Sequence, residues 1–274
     1  MNVACNLHGM GVDVMAIVAA GGANGKQLKE MLTRSGVQFK CFDIEDETCQ
    51  NLGVTEKATG KMYHLVFPGQ SLKQSEWQDC LAYVTSLEPR PEYLVLSGSL
   101  PQGVPDDFYG KIALDAGKKG IKTILDTSGH ALAAPLNAGV YLAKLNRSEF
   151  ADSGHLGSLD DYQAMLDAMA NMVEQGMAEA LIVTLDAHGA LLASRDGTRL
   201  HICPPPTKIV SHVGAGDSFV SLLVYQLHRG KSLTDAFYYG VAAAAAKVQT
   251  PGNSLNNLTL VEAIYQQMIS KRDH

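Results

Sequence analysis

No stretch of the 274 residues approaches the roughly 20 apolar positions of a membrane-spanning helix. The longest candidate, Val241 to Val248, is short, alanine-rich and broken by Lys247. The opening residues, MNVACNLHGMG, have neither a basic nor an apolar segment and do not read as an export signal. Paired cysteines are missing too. Cys5, Cys41, Cys49, Cys80 and Cys203 are scattered and odd in number, with no CxxC spacing, which argues against a disulfide framework or zinc site and for reduced thiols in the cytoplasm. A Lys/Arg stripe is also lacking. With 22 basic against 28 acidic residues, a formal charge of −6, neither nucleic acid nor a membrane is the expected partner.

What the chain does have is an alternation of strand and helix patterns. Val12 to Ala20 is a β-branched apolar run followed by a helical pattern from Lys26 to Arg34. Tyr93 to Ser99, Lys122 to Thr127, Tyr141 to Asn146 and Ala180 to Leu185 are short and mostly apolar, as strands buried on both faces are. Helical spacing runs through Ser75 to Leu87, Asp106 to Lys119 and Leu159 to Glu174, and later through Asp217 to Arg229, Thr234 to Gln249 and Thr259 to Ser270. This order predicts an α/β three-layer sandwich with a mainly parallel central sheet. Val37 to Pro68 breaks the rhythm. It reads as short strands with a turn at Ala58-Thr59-Gly60, so residues 37–68 are expected to form a small β lid on an α/β domain of residues 1–36 and 69–274.

Two glycine clusters fall short of known phosphate motifs. Gly21-Gly22-Ala23-Asn24-Gly25-Lys26 lacks the first glycine of a phosphate loop, and Gln27 stands where a Ser or Thr would hold magnesium; Gly9-Met10-Gly11 lacks the third glycine of a dinucleotide fingerprint. Both read as turns. The segment Val213-Gly214-Ala215-Gly216-Asp217-Ser218-Phe219 is different, because it opens a strongly apolar helix. Small residues let backbone approach a ligand, and free amides at a helix start bind anions. A carboxylate beside that cradle can take a proton from a hydroxyl attacking a phosphoryl group, or Asp217 can simply cap the helix.

VGAGDSF resembles the C-terminal signature of the PfkB (ribokinase-like) carbohydrate kinases. Asn2-Val3-Ala4 with Gly11 and Gly21 resembles the second half of their N-terminal signature. Ser97-Gly98-Ser99-Leu100-Pro101, Asp126-Thr127-Ser128-Gly129, Lys144-Leu145-Asn146 with Glu149, and Thr184-Leu185 with Gly189 match between them. The resemblance implies a ribokinase-like fold using ATP with Mg2+, and K+ as a further cation of the family. It implies Asp217 as the base, Gly214, Ala215 and Gly216 as the anion hole, and Asn2 and Ser99 on the sugar. Lys144 and Asn146 would face the ATP phosphates, with Glu149 supporting magnesium through water. Thr184 and Gly189 would line the nucleotide loop, and Val241 and Ala245 the adenine pocket. AAGGANG, QNLGV, FPGQSL and PPPTK are most similar to the branch acting on fructose 6-phosphate, with a homodimer formed through the lid.

The chain also departs from the family pattern. The part that usually precedes Asn2, with a first strand, a substrate-binding Asp and lid strands, has no counterpart in these residues. His64 stands where an arginine would hold the sugar 6-phosphate, and an imidazole has neither the fixed charge nor the fork of a guanidinium. Asp186 replaces a glycine of the nucleotide loop, Leu145 a proline, and His212 and Leu222 are atypical. Three expectations follow for function: a fructose 6-phosphate kinase; a kinase for tagatose 6-phosphate, fructose 1-phosphate or ribose; or a catalytically impaired fragment or pseudokinase of the same fold.

Overall fold

A computed structural model describes residues 1–56, 62–65, 67, 69, 71–153 and 159–270. The chain runs α1 (Asn2–Gly9), β1 (Met15–Ala20), α2 (Gly22–Ser35), β2 (Gln38–Asp43), β3 (Leu52–Thr55), β4 (Met62–Leu65), α3 (Gln74–Thr85), β5 (Tyr93–Ser97) and α4 (Phe108–Lys118). It continues through β6 (Lys122–Asp126), α5 (Ala133–Ala138), β7 (Val140–Asn146), α6 (Arg147–Asp152), α7 (Tyr162–Glu174), β8 (Ala178–Thr184), β9 (Ala190–Ser194) and β10 (Arg199–Ile202). Three helices close it: α8 (Ala215–His228), α9 (Leu233–Lys247) and α10 (Leu258–Ile269).

Six strands form the central sheet in the order β10-β9-β8-β7-β6-β5. β5 to β8 are mutually parallel; β9 pairs antiparallel with β8, and β10 antiparallel with β9. Successive residues on a strand point to opposite faces, and both faces here are apolar. Leu142 and Ile182 pack into one core with Phe219, Phe237 and Val241; Ala143, Leu145, Leu181 and Val183 pack into the other with Phe150, Met165 and Met169. A mainly parallel sheet between helical layers is the architecture expected from the sequence.

β1 and β2 form a separate parallel pair, and β3 and β4 an antiparallel hairpin. The stretch 37–68 is therefore divided, its first strand belonging with β1; its turn at Ala58-Thr59-Gly60 lies outside the described residues. β1 and β5 each have one unpaired edge among the described strands, and a groove of about 540 Å³ lies between them. Its walls include Val14, Ala16 and Val95, with Leu7 and Val224 on one side and Ile112 on the other. Among the described residues no helix is long and apolar enough to cross a membrane.

One expectation of local structure is corrected, and one helix lies where none was expected. The opening residues form a helix, α1, which packs on α8. The glycines from Gly21 to Gly25 are not a turn but the start of α2, with Gly21 as its N-cap. Glu47 makes this possible. Its carboxylate accepts from the backbone N–H groups of Ala23 (3.2 Å) and Asn24 (2.6 Å), satisfying amides that a helix start leaves free. The loop that resembles a phosphate cradle thus holds an internal carboxylate.

α8 and α9 pack closely because Gly240 has no side chain: a Cβ there would stand 2.8 Å from the Phe219 ring. That ring is 1% exposed and has Phe237 edge-on at 6.2 Å. Alanine at position 240 gains up to ~1 kcal/mol of helix propensity. Overpacking a filled core costs about 1–3 kcal/mol. Gly240→Ala should therefore lower the melting temperature, and Gly240→Val should lower it further; thermal denaturation followed by circular dichroism checks both.

Candidate active site

Parallel strands present their carboxyl ends on one edge of a sheet, where α/β folds bind ligands. β5 to β8 do so here. After β5, Gly98 turns with φ +92°, donates its N–H to the Asp126 carbonyl (3.0 Å) and accepts from the Thr127 hydroxyl (2.8 Å). This fastens the exposed Ser99 beside the end of β6. Asp126 is the last residue of β6, Asn146 of β7 and Thr184 of β8.

Lys144, 7% exposed, points its ammonium at Asp126, with Nζ 2.6 Å from Oδ1. The same ammonium comes within 3.5 Å of the point where a Cβ on Gly216 would stand. Strand end and α8 therefore meet at this charge. α8 starts at Ala215 after Gly214, whose φ is +79°, and a Cβ on Gly214 would lie 2.4 Å from the Asn253 carbonyl oxygen. Only glycine fits there. The backbone N–H groups of Gly216 and Asp217 lie in the first turn of α8, where helix amides have no intrahelical acceptor. Asp217 is half-buried, and its Oδ2 accepts from the Asn2 amide at 2.7 Å.

Asn146 and Glu149 hold each other. The Asn146 side chain accepts from the Glu149 N–H (2.9 Å), and the Glu149 carboxylate accepts from the Asn146 N–H (2.7 Å). This is a capping box at the start of α6. Burial pushes the Glu149 carboxyl above its ordinary pKa, opposed by that hydrogen bond and by the positive charge of Lys144. At the end of β8, Thr184 donates to the Leu145 carbonyl (3.3 Å). The following loop contains Asp186 with φ +52°, a conformation easiest for glycine and tolerated by Asp, where the family pattern has glycine. Gly189 closes the loop with φ +84°, its Cα so near the Ile202 carbonyl that a Cβ would fall 1.8 Å from the oxygen.

The sequence-derived candidates thus divide. Asn2, Gly214, Ala215, Gly216, Asp217 and Lys144 come together, with Asn146 and Thr184 on adjoining strand ends and Glu149 in the first turn of α6. Val241 and Ala245 are buried on α9, where Val241 belongs to the core beneath α8. His64 lies on β4 opposite Gly53, and its side chain is outside the described residues. Three participants had been given no role. Asp126 could have been found as a carboxylate ending a predicted strand; Asn6 and Asn253 reach the site only through tertiary contacts.

The pfkB family carbohydrate kinase pattern matches residues 1–260. The chain is 35% identical over 266 residues to the ATP-dependent 6-phosphofructokinase isozyme 2 of Mycobacterium tuberculosis, covering 97% of this chain and 78% of that one. It is 28% identical to the 1-phosphofructokinase of Haemophilus influenzae, covering 98% and 85%. Its fold is similar to the crystal structure of phosphofructokinase-2 from Escherichia coli in complex with potassium, with a TM-score of 0.90, 34% identity, and coverage of 98% and 86%.

Because the Glu149 carboxyl titrates above its ordinary range in the folded chain, ionising it costs stability. That cost is absent below the unfolded-state pKa and grows as pH rises through the raised folded value. Glu149→Gln keeps a side chain able to reciprocate the cap. The difference in melting temperature, variant minus parent, should rise from pH 4 to pH 8; a difference that is flat or falls with pH contradicts it.

Proposed function

The chain belongs to the pfkB family of carbohydrate kinases, and we propose that this sugar-phosphate kinase uses ATP to phosphorylate fructose 6-phosphate, giving fructose 1,6-bisphosphate. The observation that carries this reading is the meeting of the Asp217 carboxylate, the first turn of α8 and the buried Lys144 ammonium at the strand ends. Asp217 accepts the proton of the acceptor hydroxyl as its oxygen bonds to the terminal phosphorus of ATP and the bond to ADP breaks. The amides of residues 214–217 face the oxygens of the phosphoryl group in transit, and Lys144 offers the positive charge. Asn2 holds the base and, with Ser99, faces the sugar. Asn146, Thr184 and Gly189 border the nucleotide phosphates, and Val241 and Ala245 back the adenine side.

Kinases of this family use ATP with a divalent metal, here Mg2+ in our reading. Among the described residues no three His, Cys, Asp or Glu side chains cluster as a metal site. Glu149, in the first turn of α6 beside the end of β7, is the carboxylate that would reach such an ion through water, the ion being held otherwise by phosphate oxygens. When bound, the ion neutralises phosphate charge.

The hairpin of β3 and β4 exposes Leu52, Val54, Tyr63 and Leu65, each 47–51% accessible. A two-stranded hairpin is marginal alone, and apolar surface of this kind favours a partner. We read it as the lid and as the contact surface of a homodimer.

The test is a phosphoryl-transfer screen with Mg2+ and K+ present, using fructose 6-phosphate, tagatose 6-phosphate, fructose 1-phosphate and ribose. Fructose 6-phosphate should give the highest kcat/KM. Preference for another acceptor moves the substrate reading, and no transfer to any acceptor leaves the pseudokinase. Asp217→Asn should cut kcat by roughly two to four orders of magnitude, with little change in ATP binding. His64→Arg supplies a permanent charge and should lower KM for fructose 6-phosphate about tenfold or more while leaving ribose unaffected.

A further inference from the structure

α1 presents Asn2 and Asn6 one turn apart, on the face toward α8. Asn6 is buried; it donates to the Ser221 hydroxyl (3.2 Å) and accepts from the Leu255 N–H (3.2 Å). The segment around residues 253–255 is thereby fastened against α1 and α8. Asn2 is placed differently, because one end of its amide meets a carboxylate. An ionised carboxylate only accepts hydrogen bonds, so Asn2 must present its NH2 to Asp217. Its oxygen then faces away, and the NH2 of Asn253 donates to that oxygen at 3.2 Å. The carbonyl of the same Asn253 lies over Gly214, at the start of the anion-binding turn.

We propose that Asn253 is a positioning residue for Asp217, acting through the Asn2 amide. It fixes which end of that amide faces the base, and so keeps a hydrogen-bond donor on the carboxylate. This deepens the kinase reading and rests on it, since the function served is that of Asp217 as base.

Asn253→Asp tests it by replacing a donor with an acceptor, so that two carboxylates compete for one amide. Activity is measured as kcat and KM with ATP and fructose 6-phosphate. kcat should fall about tenfold, with KM for ATP unchanged. In an Asn2→Ala background the same change should have a much smaller effect, because the relay is already cut. A second readout does not need turnover. In protein with 15N-labelled asparagine, the Asn2 side-chain NH2 resonance should follow the titration of Asp217 in the parent and cease to follow it in Asn253→Asp. Equal effects with and without Asn2, or an NH2 resonance indifferent to residue 253, overturn the proposal. Should the aspartate variant not fold, Asn253→Ala removes the donor without adding charge and should shift the same resonance, with about a threefold loss of kcat. If the parent transfers phosphate to no acceptor, the kinase reading fails while the NH2 titration still decides the relay.

Discussion

Helix α8 is buried along nine of its fourteen residues, packed by α9 on one flank and α1 on another. A helix that is apolar almost all round has no freedom to slide without opening cavities in the core. Its first turn is therefore fixed relative to the sheet, and the site consists of what that turn meets. Phe219, two residues beyond Asp217, packs on the bare backbone of Gly240. Packing at one end of this contact and chemistry at the other are continuous through half a turn of helix.

Charge is arranged so that the site is tolerable when empty. Lys144 is nearly buried, and an unpaired ammonium there would be costly. Asp126 neutralises it at 2.6 Å. In the proposed reading, a phosphate arriving at α8 would share that ammonium with a carboxylate already in contact, which would make binding an exchange of anionic partners rather than a simple gain of charge. Glu149 contributes a second negative group nearby, already committed to the cap of α6.

The sequence was informative wherever local chemistry and tertiary role coincide. The apolar runs of β5 to β8 could only be strands covered on both faces, and VGAGDSF announced a helix start that could hold an anion. It was silent where a local signal is supplied from far away. α2 begins on glycines, poor helix residues, because Glu47 caps it from 23 positions downstream. α1 is one of the shorter helices, without a side-chain cap, and is held by α8 rather than by propensity. β9 and β10 are announced only by Asp196-Gly197 between them, a hairpin signal. Asn253 contributes through a bond spanning 251 positions, which no spacing rule reveals.

The groove between β1 and β5 has a mechanical meaning. Elsewhere the sheet is stitched by backbone hydrogen bonds, which are directional and resist shear. Across the groove no ladder joins β1 to β5 among the described strands; its walls are largely apolar, and the directional links between the two parts include side-chain bonds to α3, the Glu45 N–H donating to Glu76 (2.8 Å) and the Tyr83 hydroxyl to the Met15 sulfur (3.7 Å). Displacing β1 and β2 along β5 breaks no ladder, and the strand that β2 continues into is the hairpin bearing His64. The frame is therefore joined by ladders from β5 to β10 but by packing and a few side-chain bonds across the groove, with the strand ends of the candidate site on one side and the hairpin carried on the other.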